Sequence, residues 1–143
     1  MKRIVAQLFL IALMASSYTV LAKDTYVVAN APVNGSVDDA SLLALLKGER
    51  RNWDDGNAAT VVLPSRESED FEPVAQKLFG TSGRVMQRLW FRLVFSGRVN
   101  APVYVDDPAE VIATVEAKSG AVGILLATEQ PVVPSPLRVV KLK

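Results

Sequence analysis

Between Ser82 and Gly97, apolar side chains recur at Val85, Met86, Leu89, Trp90, Leu93 and Val94, a continuous stripe at the helical period. Ser82 is placed to cap this helix, and Gly97, free to adopt positive φ, to end it. The opposite face carries Arg84, Gln87, Arg88 and Arg92. Trp90 can bury roughly 200 Å², so this is the core helix against which the other segments must pack.

The rest of the chain alternates between two patterns. Tyr26–Ala29 is a short β-rich apolar run that predicts a strand buried on both faces. After a turn containing Pro32, Asn34 and Gly35, a helix is expected from Ser36. Asp38 and Asp39 lie near its positive end, Leu42, Leu43, Leu45 and Leu46 form its apolar face, and Gly48 stops it. A polar connector follows, with Trp53 expected as a lid over the core edge and Asp55-Gly56 as a turn. Ala59–Leu63, closed by Pro64, predicts a second strand. Phe71, Val74, Leu78 and Phe79 predict a helix with Pro73 in its first turn and Gly80 at its end.

Beyond Gly97, Val103-Tyr104-Val105 is a short extended piece. Asp107, Pro108 and Glu110 make a capping box with proline at the first helical position, and Val111, Ile112 and Val115 face inward. Ala121–Leu126 is a further buried strand, in which Gly123 implies close approach by a neighbour. Leu137–Leu142 is the last strand. Strands alternating with helices predict an α/β domain, helices flanking a mainly parallel or mixed sheet.

Composition removes many functions. Lys2 and Arg3, the apolar run Ile4–Ala15 and the sequence Val20-Leu21-Ala22 read as a signal peptide cleaved after Ala22. The run is shorter than the roughly 20 residues a membrane span needs, so no stable anchor remains after cleavage. Residues 23–143, 121 in number, suit one domain. Taking Lys2 and Arg3 from the 16 basic residues leaves 14 against 15 acidic, a formal net charge of −1, which gives no global case for nucleic acid. With no cysteine there is no disulfide, thiolate chemistry or N-terminal lipid attachment; with no histidine there is no Ser–His triad or His-ligated zinc. The expected compartment is a bacterial periplasm, where a disulfide-free exported domain is at home. No metal site, cofactor or catalytic constellation is expected: the carboxylate pairs Asp54/Asp55 and Asp106/Asp107 have turn and capping roles, and no glycine-rich phosphate loop occurs.

Four phrases, in this order and spacing, resemble the periplasmic substrate-binding proteins of phosphate ABC transporters, of the type 2 periplasmic-binding-protein kind. They are Leu42–Gly48 followed by Trp53-Asp54-Asp55-Gly56, the segment Arg66–Phe71, Trp90 with Phe95-Ser96-Gly97, and Ser119-Gly120-Ala121-Val122-Gly123. The resemblance spans nearly all of residues 23–143, but to one lobe of a family whose transporting members have two. It implies a non-enzymatic binding module for phosphate or another small oxyanion.

In full-length members an arginine precedes Ser-Gly-Thr at a helix start, and guanidinium, hydroxyls and amides grip the phosphate. Arg66 matches that arginine, which makes Ser65, Arg66 and Ser68 the candidate ligand residues. Glu67, Glu69, Asp70 and Glu72 stand where hydroxyls and glycine are expected. Each such carboxylate 4 Å from an anion repels it by about 4 kcal/mol at an effective dielectric of 20, against only about 0.3–1 kcal/mol of helix-dipole attraction. Without a ligand, the same acids serve the helix N-terminus and pair with Arg66, and Arg84, Arg88 and Arg92 form a solvated face or partners for those acids. The second functional expectation is accordingly a periplasmic interaction, sensor or scaffold domain, with a protein partner or a second copy of itself.

Overall fold

The computed structural model describes residues 22–33 and 35–143. The expected leader, apart from Ala22, lies outside the described residues. Among the described residues five strands, β1 (Asp24–Ala29), β2 (Thr60–Pro64), β3 (Val103–Val105), β4 (Ala121–Ala127) and β5 (Arg138–Lys141), join in one sheet of order β3-β2-β4-β1-β5. The helices are α1 (Asp39–Leu46), α2 (Phe71–Phe79), α3 (Gly83–Phe95) and α4 (Pro108–Ala117). The β2·β3 and β2·β4 pairs are parallel, whereas β1 runs antiparallel to both β4 and β5, so the sheet is mixed.

Alternation along each strand sorts side chains into two cores. Val27, Ala29, Leu63, Val122 and Ile124 face α1, α2 and α3, where Leu42, Leu46, Val74, Met86 and Trp90 are buried. Tyr26, Val28, Val62, Ala121 and Leu125 face the other way, onto Val111 and Val115 of α4. Strands β1, β2 and β4 are covered on both faces, which is why they read as nearly unbroken apolar runs. Gly123 permits the second contact: a Cβ there would stand 2.6 Å from Val111 Cγ1 and 3.0 Å from Val115 Cγ2. Trp53 is buried at the edge of the first core, and its Nε1 donates to the Gly120 carbonyl at 2.9 Å.

Three local details depart from the sequence pattern. Helix α1 starts at Asp39, three residues after Ser36, because the Asp38 carboxylate accepts hydrogen bonds from the Ser41 N–H at 2.7 Å and from the Ser36 hydroxyl. At α4, Asp107 caps as expected by accepting the Glu110 N–H, but Glu110 reaches back to the amide of Asp106 at 3.1 Å. The last strand is shorter than Leu137–Leu142, whose two leucines are buried just outside its ends. Among the described residues no helix is long and apolar enough to cross a membrane.

Candidate functional site

β2 ends at Pro64, and the chain then folds the Ser65–Asp70 segment before entering α2. The amide of Ser65 donates to the Val105 carbonyl at 2.7 Å, anchoring the loop to β3. The amides of Glu67, Ser68, Asp70 and Phe71 turn onto the loop itself. Glu67 N–H donates to Ser65 Oγ at 3.3 Å, Ser68 N–H to the Ser65 carbonyl at 3.0 Å, Asp70 N–H to Ser68 Oγ at 3.1 Å and Phe71 N–H to the Ser68 carbonyl at 3.2 Å. The Ser65 hydroxyl donates to Asp106 Oδ1. Ser65 and Ser68 thus build the turn, with their oxygens engaged in it.

The acidic residues of this segment divide by role. Asp70 is buried, and its carboxylate accepts the Leu126 N–H of β4 at 3.2 Å, tying the start of α2 to the sheet. Glu72 reaches across to α3 and accepts the Gly83 N–H at 2.9 Å, while Ser82 Oγ accepts the Val85 N–H. These two acceptors satisfy first-turn amides of α3 that its own ladder leaves open. Glu67 and Glu69 are exposed. Among the described residues, the ion pairs are Lys47–Glu49, Arg50–Asp54 and Lys141–Asp24. None involves Arg66, Arg84, Arg88 or Arg92, so the pairing of Arg66 with its acidic neighbours is not formed.

Arg66 instead joins Arg84 and Arg88 on the wall of a groove of about 780 Å³ between α3 and the segment that leads into β3. Gln87, Phe91, Phe95, Pro102 and Tyr104 complete most of its lining, and among the described residues no carboxylate contributes to it. Trp90 lies at its inner side; its indole nitrogen is a buried donor without an acceptor among the described residues. Partial desolvation at the groove wall holds the Tyr104 phenol above its ordinary pKa of 10.0, so it is a neutral hydroxyl at physiological pH. Arg92 belongs to a smaller depression with Lys47 and Glu49 on the other flank of α3.

The structure therefore brings Arg66 to a basic surface and leaves Ser65 and Ser68 in the turn behind it. The aromatic part of the groove escapes a reading that follows only the core stripe of α3. Its signal is a second stripe, Arg84, Arg88, Phe91 and Phe95, spaced i, i+4, i+7 and i+11.

No family model and no curated protein matches this sequence. Among solved structures, the chain is similar to PstS from Borrelia burgdorferi, with 14% sequence identity and a TM-score of 0.50. The match covers 73% of this chain and 40% of that protein. An open mixed sheet flanked by helices, superposing on part of a longer chain, gives this protein a PstS-like single-lobe fold.

Proposed function

We propose that this protein is an exported, periplasmic, non-enzymatic binding module that takes phosphate or another small oxyanion through Arg66, Arg84 and Arg88. The observation that carries the reading is that three guanidiniums, none in an ion pair, line one groove to which no carboxylate contributes among the described residues. Guanidinium offers paired N–H donors matched to an oxyanion. The sequence resemblance to phosphate-transporter binding proteins, together with the PstS-like fold, agrees with this reading. In this reading the Ser65–Ser68 turn positions Arg66, and the anion is held by side chains instead of loop amides. The leader-like residues 1–22 support export, and residues 23–143 form the binding domain.

Calorimetric titration with inorganic phosphate tests this, alongside thermal shift. At about 100 times Kd the bound anion stabilises the fold by about 2.7 kcal/mol. Arg66→Ala, Arg84→Ala and Arg88→Ala each weaken binding, and all binding weakens as salt is raised. No heat and no thermal shift at millimolar phosphate or sulfate would remove those ions as ligands, and no response to any oxyanion, organic phosphates included, would overturn the reading.

A further inference from the structure

The groove is much longer than a tetrahedral oxyanion requires. Arg84 and Phe95 are eleven residues apart on one stripe of α3, about 16 Å at 1.5 Å per residue. Charge is confined to the N-terminal half of that stripe, with Arg66 beside it, and the C-terminal half is aromatic. Phe91 and Phe95 are 64% and 75% exposed, and their rings stack on one another with centroids 4.2 Å apart and planes tilted by 34°. Large apolar side chains exposed as a pair, continuous with a concave surface, mark a surface built to be covered. The volume lies within the range of small-molecule sites, which are mostly apolar with a few orienting polar groups.

From this division we infer that the groove binds a flat-ringed organic oxyanion, such as an aryl phosphate. Its anionic head sits among Arg66, Arg84 and Arg88, and its ring lies against Phe91 and Phe95. The inference rests on the proposed anion-binding role of the three arginines and names the larger ligand to which that anion belongs. Charge complementarity fixes which end of the ligand lies where. A ring offers the phenylalanines an offset or edge-to-face partner, and the guanidiniums a π face, so both halves of the groove recognise it.

The test is a titration of the full protein with inorganic phosphate, phenyl phosphate and 1-naphthyl phosphate, with sedimentation of the protein at each step. The expected order is naphthyl over phenyl over inorganic phosphate, naphthyl exceeding inorganic phosphate by about tenfold or more. In a Phe91→Ala/Phe95→Ala variant, whose fold is checked by circular dichroism, that preference falls to near parity. In Arg88→Ala, affinity for the aryl phosphates drops as well. Phosphate bound as tightly as its aryl esters overturns this inference and leaves the anion reading standing. Failure of all three anions overturns both. Naphthyl phosphate bound with no measurable inorganic phosphate binding supports the inference and removes bare phosphate as the ligand. A dimer that dissociates in the phenylalanine variant and ignores naphthyl phosphate shows instead that a second copy covers the groove.

Discussion

Replacing Gly123 by alanine probes the contact that seats α4 on the sheet. The new methyl carbon would stand 2.6 Å from Val111 Cγ1, 3.0 Å from Val115 Cγ2 and 3.4 Å from Val62 Cβ. Non-bonded carbons settle at about 3.5–4.0 Å, so Val111 must retreat by about 1 Å. It has little room, because Val111 is 2% exposed and Val115 and Val62 are fully buried. Overpacking of this kind costs about 1–3 kcal/mol. The Gly123 φ is not in the positive region, so alanine adopts its backbone freely. Stiffening of the unfolded chain then returns about 0.4–1 kcal/mol.

The net loss is about 1–2 kcal/mol, a fall in Tm of roughly 3–10 °C for a domain of this size. Urea denaturation followed by circular dichroism should show a lower midpoint at unchanged slope. Val111→Ala removes the closest clashing atom, so the double variant should lose less than the two single losses added, by about 0.5 kcal/mol or more. A Gly123→Ala protein as stable as its parent, or strictly additive losses, would refute the close approach of α4.

Three further outcomes follow from the hydrogen bonds. Glu72→Ala strips the Gly83 amide of its acceptor and should cost about 1 kcal/mol in chemical denaturation, whereas Glu72→Gln, which keeps an oxygen there, should cost less. Trp53→Phe removes the indole bond to the Gly120 carbonyl and should lower stability by about 0.5–1.5 kcal/mol, while leaving Trp90 as the sole tryptophan for fluorescence. Hydrogen bonds from Ser36 and Ser41 hold the Asp38 pKa below its ordinary 3.8. A depressed folded-state pKa means that this contribution is present above 3.8 and disappears as pH falls through the lower folded value. Stability against urea should therefore decline more steeply below pH 4 in the parent than in Asp38→Ala, and equal slopes would remove Asp38 from the acid response.

Elements whose cause is local were legible in the sequence. The helix α3 has its cap, stripe and terminating glycine within sixteen consecutive residues, Ser82–Gly97, and it forms with Ser82 as the cap and Gly97 at positive φ. The close approach at Gly123 was legible because a glycine in an apolar strand has few other causes. The start of α1 was not, since Ser36 and Asp38 are both good caps and only the fold decides which oxygen reaches the Ser41 amide. The strand order was hidden too. Placing β1 between β4 and β5, antiparallel to both, depends on contacts nearly 100 residues apart in the first case and more than 100 in the second. Asp70 shows the same limit on a single side chain. In the sequence it is one of four acids near a helix start, whereas in the fold its carboxylate is claimed by a strand amide 56 residues away.

The site shows how a family phrase can keep a residue and change its use. Arg66 stands where the resemblance places an arginine, but the amides of Glu67, Ser68, Asp70 and Phe71 beside it already bond to Ser65 and Ser68. Asp70 and Glu72 reinforce that arrangement by facing β4 and α3 in place of an incoming ligand. With those amides engaged, an anion at this end of the lobe would draw mainly on side chains, and the basic side chains that line the groove with Arg66 belong to α3. Such donors extend along a helix, whereas loop amides close around one point. An oxyanion held by them has no structural reason to be small, and the aromatic half of the same helical stripe is where the remainder of a larger molecule would lie.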